Sequence, residues 1–202
     1  IPRGRMGRKV PIWAAIPALL LGACSTVSLP DGSVATLATT TPPPPPESQR
    51  DKIVRIAATY IGDVETEGNN AGPIPRELLA NVGIKVPAPY CAAGIYTCYL
   101  RAGDTLRPKE RFALAAAWNP VNRRIWGRSA ASDTTKILPA DVTGHDYGQG
   151  IHHTNLITKE SGKYLEVIGF NTTDGFNRDG TGVYRKLILK SQVTCVSRWL
   201  PK

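Results

Sequence analysis

The chain of 202 residues has one methionine, three histidines, three phenylalanines and only 7% aromatic residues. No apolar run reaches the about 20 residues needed to span a bilayer as a helix, which excludes a polytopic helical membrane protein. Acids are also scarce: 16 against 25 basic residues, for a formal net charge of +9. Four of those bases (Arg3, Arg5, Arg8 and Lys9) precede Val10, and setting them aside leaves 21 bases against the 16 acids. That modest excess suits an anionic partner of any kind. Without aromatic residues interleaved among the bases it makes a poor case for nucleic acid, and none is expected as a partner. What is present suffices for a folded protein. At 42% hydrophobic and 20% charged residues the chain can bury a core, so wholesale disorder is excluded. The length fits one full-sized domain with appendages.

The N-terminus reads as an address. Arg8-Lys9 precedes the apolar stretch Val10 to Ala23, which closes on Leu21-Gly22-Ala23-Cys24. A positive segment, a short apolar segment and small residues before a cleavage point make a secretory signal peptide over residues 1–23. Met6, the only methionine, is the expected start, with Ile1 to Arg5 an extension. Leu-Gly-Ala-Cys resembles the lipobox of bacterial lipoproteins, which implies that Cys24 is acylated and becomes the mature N-terminus. Ser25 beside it implies sorting to the outer membrane, facing the periplasm. Residues 24–49 are rich in Ser, Thr and Pro, with five consecutive prolines from Pro42 to Pro46. Such a run favours an extended polyproline rod, so the segment reads as a lipid-anchored tether rather than a folded element.

Residues 50–202 form the expected domain. Ser48 can cap a helix carrying Ile53, Ile56, Ala57 and Tyr60 on one face, ended by Gly62. Pro75 opens a second short helix. A third runs from Tyr90 to Gly103, and an Ala-rich fourth covers Lys109 to Trp118. The period then changes: His153 to Thr158, Tyr164 to Asn171, Val183 to Lys190 and Val193 to Trp199 read as strands. A hairpin turn lies at Glu160-Ser161-Gly162, and Thr172 to Gly182 reads as a longer connection. Helices first and antiparallel strands after give an α+β fold.

If Cys24 is lipidated, Cys91, Cys98 and Cys195 remain, an odd number in an oxidising compartment. Cys91, in Pro89-Tyr90-Cys91-Ala92-Ala93, sits in the first turn of the third helix. Free N–H groups and the helix dipole there favour a thiolate and can hold an oxyanion. His153 opens a strand and Asn171 ends the next one, so antiparallel pairing makes them neighbours. A thiol at a helix start, a histidine and an amide side chain form a Cys-His-Asn set, in the chain order of papain-like enzymes. Cys98, seven residues from Cys91 along one helix, lies too far from it to bridge. Cys98 and Cys195 are therefore either a disulfide or two separately buried small residues. Asp141, His145, Asp146, His152 and His153 crowd together but match no usual zinc spacing, and Asn177 to Gly180 lacks the acids of a calcium loop. No metal or other cofactor is expected.

These residues resemble the CHAP family, cysteine- and histidine-dependent amidohydrolases and peptidases of peptidoglycan. Asp63-Val64-Glu65 and Asn70-Ala71-Gly72-Pro73 resemble its lead-in. Tyr90-Cys91-Ala92-Ala93 matches its aromatic-Cys-Ala-Ala core, His153 to Ile157 its histidine strand, and Asn171 to Gly175 its asparagine hairpin. The resemblance implies a papain-like (NlpC-like) fold with the nucleophile at a helix start packed on an antiparallel sheet. It also implies that Cys91 is the nucleophile, His153 the base and Asn171 the residue that orients His153, acting as a monomer on peptidoglycan. Three positions depart from the pattern. Gly94 replaces an aromatic, Asn155 a glycine, and Gly169 a glutamate. The alternative is a catalytically silent lipoprotein of the same fold that binds peptidoglycan or a protein partner.

Overall fold

A computed structural model describes residues 25–28, 34–37, 45–128, 135–173 and 180–202. The signal-peptide segment, the acylation candidate Cys24, Pro42 to Pro44 and the tip of the loop after Thr173 lie outside the described residues. The chain divides into two units, Ile1–Pro45 and Pro46–Lys202. In the first, β1 (Ser25–Ser28) pairs antiparallel with β2 (Val34–Leu37). The stretch read as a featureless tether thus contains a short β-ribbon. Its Thr and Val residues favour extended pairing where no proline interrupts. Among the described residues no helix is long and apolar enough to cross a membrane.

The second unit is mixed helix and antiparallel sheet. Helix α1 (Gln49–Ala58) starts where Ser48 Oγ accepts the Asp51 N–H at 3.1 Å, and it buries Ile53 and Ala57, four residues apart on one face. It stops at Thr59, short of Gly62. Helix α2 (Pro73–Ala80) begins with a proline in its first turn, where the missing N–H costs nothing. Helix α3 (Cys91–Arg101) is the central one. Cys91, Ala92, Ala93, Ile95, Cys98 and Tyr99 are all buried, which an amphipathic surface helix would not allow. The expected fourth helix shrinks to α4 (Ala115–Trp118), because Arg111 takes a left-handed φ of 50° that no α-helix accommodates.

Six strands form one open sheet: β3 (Arg124–Gly127), β4 (Val142–Asp146), β5 (Ile151–Ser161), β6 (Tyr164–Thr172), β7 (Gly182–Leu189) and β8 (Cys195–Ser197). Their order is β3-β8-β4-β5-β6-β7, every neighbouring pair antiparallel. Strands β3 and β4 are additions to the sequence reading. One core joins Val142, Leu156, Ile168 and Phe170 to α1, α2, α3 and α4. A smaller one gathers Ile137, Ile157, Leu165, Val167, Val193 and Val196, as the alternation of strand side chains requires. Asp141, fully buried, is clasped by Arg50 at 3.1 Å and Arg198 at 2.7 Å, while Arg50 also donates to the carbonyls of Pro139, Leu200 and Pro201. These bonds fasten α1 to the segment entering β4 and to the end of the chain.

Cys98 and Cys195 are free, as is Cys91. Of the two readings, the disulfide is not formed. Cys98 belongs to the helix-side core, while Cys195 Sγ lies 3.8 Å from Asn119 Oδ1, beside Gly144.

Candidate active site

The ladder between β5 and β6 stops at Leu156 and Ile168, so the first residues of β5 are unpaired on that side. Here Cys91, at the start of α3, meets the strand: the Thr154 backbone N–H lies close enough to the Cys91 thiol for its dipole to favour the thiolate. Thr154 directly follows His153, so the histidine lies one residue along the chain from the backbone that meets the thiol. The N–H groups of Cys91 and Ala92 also point to the sulfur. They favour the thiolate, as the helix-start argument anticipates. Yet the thiol is only 5% exposed, and burial, the larger effect, pushes its pKa above the ordinary value. The sequence reading had the helix terminus winning, and the structure reverses that balance. Burial likewise lowers the pKa of His153, with the Lys186 cation adding to the effect and Asn155 opposing it. Cys91 and His153 are each driven toward the neutral form.

His153 Nε2 lies 2.9 Å from Asn155 Oδ1. The two residues are two apart on β5 and share a face. Directly across on β4, His145 stands opposite His153 and Thr143 opposite Asn155, which extends the cluster. Asn155 Nδ2 contacts His145 Nε2 at 2.9 Å and Thr143 Oγ1 at 3.1 Å, and the Asn155 backbone N–H donates to Thr143 Oγ1 at 3.0 Å. Asn155 and His145 are both buried. The His145 pKa falls to about 4, chiefly from burial, then from the neighbouring His153, with Arg128 and Lys186 adding to it; the nearby Gln192 carbonyl opposes them. His152 is exposed, on the other side of the strand.

Asn171, assigned by sequence to orient His153, makes its hydrogen bonds elsewhere. Its Oδ1 accepts the Tyr90 N–H at 3.3 Å, and its Nδ2 donates to Asn70 Oδ1 at 2.6 Å and to Glu65 Oε1 at 3.4 Å. The cause is a bulge. Between Gly169 and Thr172 the pairing of β6 with β7 shifts register, and Asn171 takes a left-handed φ of 52°. The amide then swings to the residue preceding the thiol. Glu65 completes this second cluster by accepting the Tyr90 hydroxyl at 3.1 Å and the Asn70 N–H at 2.7 Å.

The three departures from the motif pattern fall into two reciprocal exchanges. A Cβ on Gly169 would stand 2.6 Å from Asn155 Oδ1, so the missing side chain on β6 makes room for the amide on β5. A Cβ on Gly94 would overlap the Phe170 ring, so the small helix residue makes room for an aromatic on β6. Phe170 is fully buried and packs edge-on against Tyr60, ring centroids 5.7 Å apart. Sequence reasoning missed Asn155, Thr143 and His145. The available signal was the His-x-Asn spacing, which places two polar side chains on one face of a strand.

No cluster of metal-ligating side chains occurs among the described residues, and Asp141 is committed to its two arginines. A cavity of about 370 Å³, lined by Asn122, Arg123, Ile125 and Trp199 among others, shares no residue with the gap between β5 and β6. No family model matches the chain, and no curated protein is significantly similar to it.

Proposed function

We propose that the protein is a cysteine-dependent peptidoglycan hydrolase of CHAP-like, papain-like architecture, with Cys91 as nucleophile, His153 as general base and Asn155 as the residue that orients it. The observation that carries this reading is that the backbone N–H of Thr154, the residue after His153, lies close to the Cys91 thiol, while Asn155 holds the His153 Nε2. With Nε2–H donated to Asn155 Oδ1, the neutral imidazole keeps its lone pair on Nδ1. Nδ1 takes the thiol proton as Sγ attacks the carbonyl carbon of an amide or peptide bond. The N–H groups at the start of α3 stabilise the oxyanion. The imidazolium returns the proton to the leaving amine, and water, deprotonated by the same nitrogen, releases the acid from the thioester. No step calls on a metal or organic cofactor.

Peptidoglycan as substrate rests on the family resemblance. The convergence of Glu65, Asn70, Tyr90 and Asn171, taken from three separate motifs, into one hydrogen-bonded cluster beside Cys91 supports it. Lipid anchoring through Cys24 to the outer membrane, facing the periplasm, belongs to the same proposal. So does action as a monomer without nucleic acid. A second reading, a silent scaffold that holds peptidoglycan or a protein partner, draws on the near-complete burial of the thiol.

Incubation of the purified chain with peptidoglycan, followed by mass spectrometry of the released muropeptides, separates the two. Cleavage that disappears in Cys91→Ala is the expected result. Binding without any cleavage by the unaltered chain selects the scaffold.

A further inference from the structure

His145 is not needed for the chemistry above, yet it lies within the same polar network, buried and opposite His153 on the neighbouring strand. Their ring centroids are 5.8 Å apart. Neutral imidazole has one donor and one acceptor nitrogen, so its partners determine its tautomer. Nε2 of His145 faces Thr143 Oγ1 at 3.0 Å and Asn155 Nδ2 at 2.9 Å. An amide nitrogen only donates, so the Nε2 lone pair faces the network and the ring proton sits on Nδ1, with the Gln192 carbonyl near the ring.

The rest of the proton arrangement follows. Thr143 Oγ1 accepts two N–H groups from Asn155, through its backbone and its side chain, and gives its own hydrogen to His145 Nε2. The Asn155 amide therefore finds acceptors only on its β4 side, so Nδ2 must point there and Oδ1 must point to His153. Flipping the amide would set Oδ1 against the His145 lone pair and turn two N–H donors toward His153.

We infer that His145 is a positioning residue: its Nε2 fixes the orientation of the Asn155 amide, which holds His153 as the Nε2–H tautomer and leaves Nδ1 as the proton acceptor. The catalytic consequence rests on the hydrolase reading, whereas the tautomer is a property of the folded chain. The groups around His145 agree with a neutral ring. His153 and the cations Arg128 and Lys186 disfavour a proton on it, and Tyr147 stacks alongside at 6.4 Å between ring centroids.

The test is the imidazole 15N correlation spectrum of the full chain near neutral pH, with exposed His152 as the internal reference for an unconstrained ring. The expected spectrum shows His153 protonated at Nε2 and His145 at Nδ1. In His145→Phe, His153 should become a mixture of tautomers. In His145→Gln, whose amide oxygen can replace the Nε2 acceptor, it should remain Nε2–H. Turnover of peptidoglycan should fall about tenfold in His145→Phe, in kcat rather than KM, and recover in His145→Gln. A wild-type His145 protonated at Nε2, or a His153 tautomer unchanged in His145→Phe, overturns the inference. If His145→Phe does not fold, the wild-type and His145→Gln spectra decide the matter. A chain that cleaves no peptidoglycan but shows the expected tautomers refutes the hydrolase reading and leaves this assignment standing.

Discussion

Asn155 and Gly169 occupy one space between them: the amide oxygen on β5 stands 2.6 Å from where a Cβ on β6 would be. An ordinary side chain at 169 and an inward amide at 155 are mutually exclusive. The nearest obstruction is the end of a polar side chain rather than backbone, so Gly169→Ala should fold. The displaced amide, however, would lose its grip on His153. We expect Gly169→Ala to keep most of its thermal stability while peptidoglycan turnover falls by about tenfold or more, since small displacements of positioning groups weigh heavily on rate. Unchanged turnover would show that Asn155 is not needed where it stands.

The exchange between Gly94 and Phe170 differs because its obstruction is a buried ring inside the main core. Alanine at 94 would gain about 1 kcal/mol of helix propensity over glycine. Overpacking a filled core costs about 1–3 kcal/mol, and Phe170, wedged against Tyr60, has little freedom to yield. The clash should win. Gly94→Ala should lower Tm, and adding Phe170→Leu should restore part of the loss, both read by thermal unfolding. If Gly94→Ala raises Tm, the helix and sheet are farther apart than this packing requires.

Asn155 and Asn171 have separable duties. Asn155→Ala removes the partner of His153 Nε2 and should reduce kcat strongly with KM little changed. Asn171→Ala instead cuts the bonds that hold Tyr90 and Asn70 together. A hydrogen bond of this kind contributes about 1 kcal/mol net, more where its partner is left buried and unsatisfied. Its loss should lower Tm by several degrees and affect turnover only through the placement of Cys91. Steady-state kinetics and melting curves on the two variants give opposite rankings if this division is right.

That division also shows what the sequence could and could not disclose. Local signals worked where one residue decides the geometry. Ser48 caps α1, and the helix carrying the thiol starts at Cys91. The α+β class followed from the change of period along the chain. Strand β4 was lost because Val142-Thr143-Gly144-His145-Asp146 contains only two residues that favour strands. It is held instead by pairing on both sides, with β5 and β8. Missing β4 meant missing Thr143 and His145. Asn171 bonds to Tyr90 and Asn70 rather than lying on the expected face because β6 bulges there, and bulges have no periodic signature. The thiol pKa was misjudged because a helix terminus is legible in sequence and complete burial is not.

The pH dependence of stability tests the electrostatics of the site directly. His145 and His153 both have folded-state pKa values below that of a free histidine, His145 at about 4. For a depressed base, the unfolded chain binds the proton first as the pH falls. Stability is therefore fully present above about pH 6.5 and drains away as pH drops toward 4, after which His145 contributes no further slope. Between those limits His145 alone is worth about 3 kcal/mol, taking 1.36 kcal/mol per pH unit. Cys91 and Cys98 shift the other way, since burial raises both thiols. The unfolded chain loses those protons first, so stability also declines as pH rises above about 8.5. A urea-denaturation series should accordingly give a plateau between about pH 6.5 and 8.5, with losses on either side. Replacing His145 with Phe should flatten the acid limb specifically, and Cys98→Ala should flatten the alkaline one. An acid limb unchanged in His145→Phe would mean that the ring is not buried as a neutral base.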